Sequence, residues 1–256
     1  MTVHEALRAQ FKAMKNRPLK ENIAYLWDYY GMKAILLLVV LILLIGQIVS
    51  MLSQKDPVFC GVFFGVSLQP ESEDYLQNFA NEAGIDPEHY ELSVQVSPDI
   101  RPFDAVTEDE YYHMQRFTAM VSARSVEVIA ANPDLYLYYS YGSYTYDLRN
   151  VFSLEELSAL SAHLYYIDGE LLAFLENNDN PEFTLDQYPD PAKPEEMADP
   201  IPVAVGIQAT TQAFQNSYPF VTKDVMLGIC LNSENLDNAQ SFLRYALDLS
   251  LQERTP

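Results

Sequence analysis

From Ala34 to Leu52 the chain carries no charge, and only Gly46, Gln47 and Ser50 interrupt a run of aliphatic residues. A helix rises about 1.5 Å per residue, so this run is close to the thickness of a bilayer's hydrocarbon layer. A helix also satisfies its own backbone hydrogen bonds there, as any structure in lipid must. The expectation is one transmembrane helix over 34–52. The rival is a cleaved signal peptide. The long leader and the lack of a small-x-small site between Ser50 and Ser53 speak against it. Lipidation at Cys60 is disfavoured too, because Phe59 stands where a lipobox needs a small residue.

The charges on either side suggest an orientation. Residues 1–33 hold Arg8, Lys12, Lys15, Arg17, Lys20 and Lys33 against Glu5, Glu21 and Asp28. A basic flank stays in the cytoplasm. The whole chain has 15 basic and 36 acidic residues; six and three of these precede residue 53, so nine basic and 33 acidic residues, net −24, follow it. The acidic bulk is therefore expected outside the cytoplasm, with Tyr25, Trp27, Tyr29 and Tyr30 at the inner headgroup level. Residues 4–16 place Leu7, Phe11 and Met14 on one helical face beside Arg8, Lys12 and Lys15. Two readings stay open there, a helix on the anionic inner leaflet and a basic tail. The expected organisation is a basic segment with an aromatic belt (1–33), the span (34–52) and an extracytoplasmic domain (53–256).

So strong an acidic excess excludes a phosphate-backbone partner, which needs a basic face. Its simplest meaning is solubility. Cys60 and Cys230 both lie in apolar, strand-like runs and are readable as a disulfide or as buried free thiols.

Beyond the span, "PVFCGVFFGVSL" (57–68) reads as a buried strand. "PESEDYLQNFANEAGI" spaces Tyr75, Leu76, Phe79 and Ala83 as one helical face. "HYELSVQVSP" alternates as a half-buried strand. Thr107 and Glu110 have capping-box spacing ahead of a second helix, and Val126–Ala131 reads as a third strand. This β–α–β–α–β order predicts an α/β fold with a mixed sheet and substantial parallel pairing. Ser153 and Glu156 form another capping box, starting a helix expected through "LEELSALSAHLYY". Residues 176–202, with six prolines, predict a loop or crossover. "VAVGI" and "VMLGICLNS" read as strands, and Ser233 as the cap of a last helix with Leu236, Ala239, Leu243 and Ala246 inward.

Three segments taken in order, "VSARSVEVIAANPDLYLYYSYGSYTYDLRNVFSLEEL", "DPIPVAVGIQ" and "VMLGICLNSENLDNAQSFLRYAL", resemble extracellular solute-binding proteins of ABC importers. Glu127 and Val128 match that family's acidic–valine pair, and Asp147 and Leu148 its later "DL". Gly228, Ile229, Asn232, Ser233, Ala239, Phe242 and Leu243 match its closing strand and helix. The front, "LWDYY" before a single span, is similar to small anchored proteins of unassigned role from Gram-positive anaerobes. The resemblance implies a reduced, membrane-anchored relative with a type II periplasmic-binding-protein fold. The domain is about half the size that a two-lobed member needs.

The densest chemical feature outside the span is Tyr136, Tyr138, Tyr139, Tyr141, Tyr144 and Tyr146. Their rings can stack a ligand or pack a core. "ENNDNPE" (176–182) has oxygen ligands but lacks the glycine and distal glutamate of a calcium loop, so no metal is expected. The histidines are scattered, and no nucleophile elbow or phosphate-cradling glycine loop is present. Neither a cofactor nor catalysis is expected. The reading is a single-pass protein of the cell membrane, its N-terminus cytoplasmic. Its exterior domain binds a small molecule or peptide near the tyrosines, with an accessory subunit of a membrane or envelope complex as the alternative.

Overall fold

The computed structural model describes residues 19–52, 55–178 and 187–250. The basic stretch 4–16, and part of the 176–202 connection, lie outside these residues. The chain divides into two units, 1–54 and 55–256.

Helix α1 (Leu19–Leu52) makes up the first unit. Among its described side chains, Leu36, Leu37 and Leu43 are 68%, 72% and 65% exposed. Among the described residues no helix is long and apolar enough to cross a membrane.

The second unit is mixed α/β. In chain order it contains β1 (Asp56–Phe64), α2 (Glu71–Glu82), β2 (Tyr90–Ser97), α3 (Glu108–Ser122), β3 (Val128–Ala131), α4 (Pro133–Tyr141), α5 (Leu154–Ala159), β4 (Leu164–Asp168), α6 (Gly169–Asn177), β5 (Pro200–Gly206), α7 (Gln212–Ser217), β6 (Met226–Ile229) and α8 (Leu236–Ala246). The six strands form one sheet in the order β2-β1-β3-β6-β5-β4. β1 pairs in parallel with β2 and β3, as right-handed βαβ crossovers favour. The remaining contacts, β3 with β6, β6 with β5 and β5 with β4, are antiparallel.

Alternation along β1 builds a core on each face of the sheet. Phe59 and Phe63 point to one side, with α2, α7 and α8; Phe242 packs against Phe59 at 4.5 Å between ring centres, the rings tilted by 33°. Cys60, Val62 and Phe64 point to the other, with Phe117 of α3 and Tyr136 and Tyr139 of α4. A strand with both faces covered has no polar alternation, which is why this one reads as a continuous apolar run.

Both capping boxes form. The Thr107 and Ser153 hydroxyls accept the Glu110 and Glu156 amides, and each glutamate accepts the cap residue's N–H at 2.8 Å. Other expectations need correction. The helix started by Ser153 ends at Ala159, and "LYYID" becomes β4, because pairing with β5 competes for it. The third strand begins at Val128 rather than Val126. Ser233 does not cap the last helix; Asn235 stands at the cap, and the Ser233 hydroxyl reaches Glu127 instead.

Candidate functional site

The candidate site originates in a break in the sheet. β5 pairs with β6 only at Val205–Leu227 and Gly206–Met226. One step further the Val203 carbonyl leaves the ladder and accepts the Tyr136 hydroxyl at 2.8 Å. Gly228 permits this approach, since a Cβ there would collide with both the hydroxyl and the carbonyl. Beyond the break, residues 144–146 take the place of β5 beside β6. Tyr146 donates its N–H to the Ile229 carbonyl at 2.9 Å, and Leu231 donates to the Tyr144 carbonyl at 2.8 Å.

The strands diverge around a cavity of about 230 Å³. Ile167, Ile201, Val203 and Leu172 form apolar walls, and Thr145, Asp147 and Glu176 are among the polar groups that reach it. The Thr145 hydroxyl is buried and has no protein partner. Such a group costs about 1–3 kcal/mol when left unsatisfied, so a ligand donor or acceptor there would recover part of that. Asp147 is already occupied, binding the Arg149 guanidinium at 2.7 Å and capping the turn through the Arg149 N–H. Glu176 ends α6, where the helix dipole disfavours a carboxylate. It accepts the hydroxyl of Ser143, a residue held at φ 62°, and makes no ion pair among the described residues. The cavity thus has apolar walls, a lining threonine whose buried hydroxyl is unpartnered among the described residues, and one carboxylate that makes no ion pair among them.

The six tyrosines do not form a common face. Tyr136, Tyr139 and Tyr141 are buried, Tyr138 is 43% exposed, and Tyr144 and Tyr146 are half-buried. Tyr136 holds the break, Tyr139 bonds the Met114 carbonyl, and Tyr141 accepts the Asp168 N–H while stacking on Tyr188 at 4.6 Å. Burial raises all three hydroxyl pKa values, that of Tyr141 to about 12. They are core donors and acceptors, and of the six only Tyr146 is among the residues lining the cavity. Pattern reading missed Thr145 and weighed Glu176 only as part of an oxygen-ligand run, because the lining brings together residues distant in sequence.

Cys60 and Cys230 are free, buried thiols. Burial pushes both pKa values up, and the nearby Glu127 adds to the effect. Neither has thiolate character for nucleophilic work. Glu127 itself is 2% exposed. One carboxylate oxygen accepts the Cys60 N–H at 2.6 Å; the other meets Ser233 and Asn235 at 3.4 and 3.3 Å. Burial raises its pKa, and these donors offset part of the rise. It ties β1 to the start of α8. Among the described residues no three His, Cys, Asp or Glu side chains converge as a metal site would require.

No protein-family model, curated protein or solved structure matches this chain.

Proposed function

We propose that this chain is a membrane-tethered binding protein. Residues 34–52 cross the bilayer with the basic N-terminus in the cytoplasm, and the 55–256 unit takes a small ligand at the break between β5 and β6. The observation that carries the binding role is the cavity with its unpartnered Thr145 hydroxyl. Its volume is below the roughly 300–1,000 Å³ of drug-sized pockets and above the ~150 Å³ that accepts benzene. The ligand is therefore of amino-acid or monosaccharide size. Apolar walls and the unpaired Glu176 favour an apolar body with a cationic, hydrogen-bond-donating head. The anchor is supported by the exposed apolar side chains from Ile35 to Ile45, since a helix apolar all round needs either a core or lipid. The acidic exterior and basic leader support the orientation. Kinship to type II solute-binding proteins is part of this proposal and rests on the sequence resemblance alone. Binding without chemistry fits the raised thiol pKa values and the absence of histidine from the cavity lining.

An accessory subunit without a small ligand is the second reading, favoured by the exposed Leu154 and Val221, at 87% and 76%. Thermal shift of the full chain in detergent, against primary amines, amino acids and sugars, separates the two. A ligand at a hundred times its Kd adds about 2.7 kcal/mol. This raises the melting point by several degrees for a domain of this size. Leu172→Trp, which fills the cavity, should abolish the rise. Silence across all classes would overturn the small-ligand reading.

A further inference from the structure

We propose that the outward edge of β2 is a self-association surface, on which a second copy of this chain adds its own β2 antiparallel and joins the two sheets into one. The two sheet edges differ. β4 is covered by the chain that returns over it: Tyr166 donates to the Pro191 carbonyl at 2.8 Å, and the Asp168 carboxylate accepts the Ala198 and Asp199 N–H groups at 3.1 Å. Among the described residues β2 has no such cover. The His89 and Ser97 carbonyls turn toward β1, accepting Asp56 at 3.3 Å and Gly65 at 2.9 Å. Peptide groups alternate sides along a strand, so Tyr90, Leu92, Val94 and Val96 turn theirs outward. Among the described residues only one of these outward groups has a partner, the Tyr90 N–H, which bonds the Asp86 carbonyl at 3.0 Å in the preceding turn. Edges are ordinarily blunted by lysine, proline or a bulge. β2 has no lysine or proline, and the irregularity in its pairing lies on β1, between Pro57 and Phe59.

One two-fold register uses the whole edge. With Ser93 on the axis, Leu92 lies opposite Val94 of the second copy and Tyr90 opposite Val96, so outward peptide groups meet outward ones. Tyr90 and Val96 are 41% and 40% exposed, and this pairing covers both. On the other face Glu91 lies opposite Gln95 of the second copy. In each copy the Gln95 side-chain oxygen already accepts the Arg116 guanidinium from α3. Neither Glu91 nor Arg116 has an ion pair of its own among the described residues. The register therefore matches apolar with apolar side chains and brings each Glu91 to an Arg116 across the axis. Moving the axis to Leu92 or Val94 leaves Val96 or Tyr90 unmatched and sets Glu91 against serine.

The test is the mass of the full chain in detergent by sedimentation equilibrium. The wild type is expected at twice the chain mass. Val94→Pro removes an outward N–H and leaves the β1 ladder intact, as edge strands tolerate; it should sediment as a monomer with an unchanged circular dichroism spectrum. Glu91→Arg and Arg116→Glu should each weaken association by about tenfold or more through like-charge contact. The double charge swap should restore it, an outcome that a purely structural role within one copy would not produce. A monomeric wild type would overturn the proposal. So would a dimer insensitive to Val94→Pro and to both charge reversals, which would place the contact elsewhere, such as α1.

Discussion

In the half of the sheet made of β2, β1 and β3, the β1–β2 ladder runs the length of both strands, from Asp56–Tyr90 to Phe64–Ser97 with one irregularity between Pro57 and Phe59, while β1 and β3 pair at three positions. In the half made of β6, β5 and β4, the β5–β6 ladder stops after Val205–Leu227 and Gly206–Met226, and a tyrosine hydroxyl and a crossing segment complete it. Both halves are covered by helices, and the cavity described above lies in the second. Where a ladder is continuous, side chains are free to pack; where it breaks, they must satisfy the backbone, and space is left between them.

The same substitution placed in each half separates them most strongly. Gly228→Ala sets a methyl group against the Val203 carbonyl and the Tyr136 hydroxyl, whereas at Gly61 the nearest atom, 3.1 Å away, belongs to the Phe63 ring. Urea unfolding should show a loss of about 3 kcal/mol or more at Gly228 and about 1 kcal/mol at Gly61. Equal losses would mean that the break is not held as described. Next is Tyr136→Phe, which orphans the Val203 carbonyl and should cost about 1–3 kcal/mol. Tyr139→Phe, whose hydroxyl makes a longer bond of 3.3 Å to Met114, should cost less.

Glu127, between the halves, gives a pH-dependent test. Its pKa is higher in the folded than in the unfolded chain, so folding takes up a proton between the two values. The stability it contributes is complete below the unfolded value and is lost as pH rises through the folded one. Glu127→Gln should flatten that decline in a series of melting curves above pH 4.5. An unchanged slope would assign the dependence to other groups. One gain is expected, at Thr145. Its hydroxyl has no partner among the described residues, so Thr145→Val removes an unsatisfied buried group and should raise stability by about 1 kcal/mol while lowering ligand affinity. Thr107→Val, in the parallel half, breaks a capping box and should cost about 1 kcal/mol.

The parallel half was also the more legible. The Thr107–Glu110 box and the β1 and β2 strands are local patterns and appear where they were read, although β1 ends at Phe64 rather than Leu68 and Tyr90 and Val96 of β2 stay exposed. The antiparallel half was read less well. "LYYID" belongs to a strand only because β5, more than thirty residues later, pairs with it. The tyrosine run concealed α4, although Asn132, Pro133 and Asp134 carry the cap, first-turn proline and acid of a helix start. Ser233 was assigned to a cap from its position alone, while Glu127, distant in sequence, competes for its hydroxyl.

By itself the sequence determined the local grammar of this protein. It showed an apolar run flanked by opposite charge balances, two helix starts and most of the strands, since each depends on neighbours within a few residues. The tertiary structure alone decided where the sheet breaks, which tyrosines are buried, which hydroxyl is orphaned and which edge stays open. Each of these depends on pairing between residues far apart in the chain, and a sequence pattern carries the propensity of a segment without naming its partner.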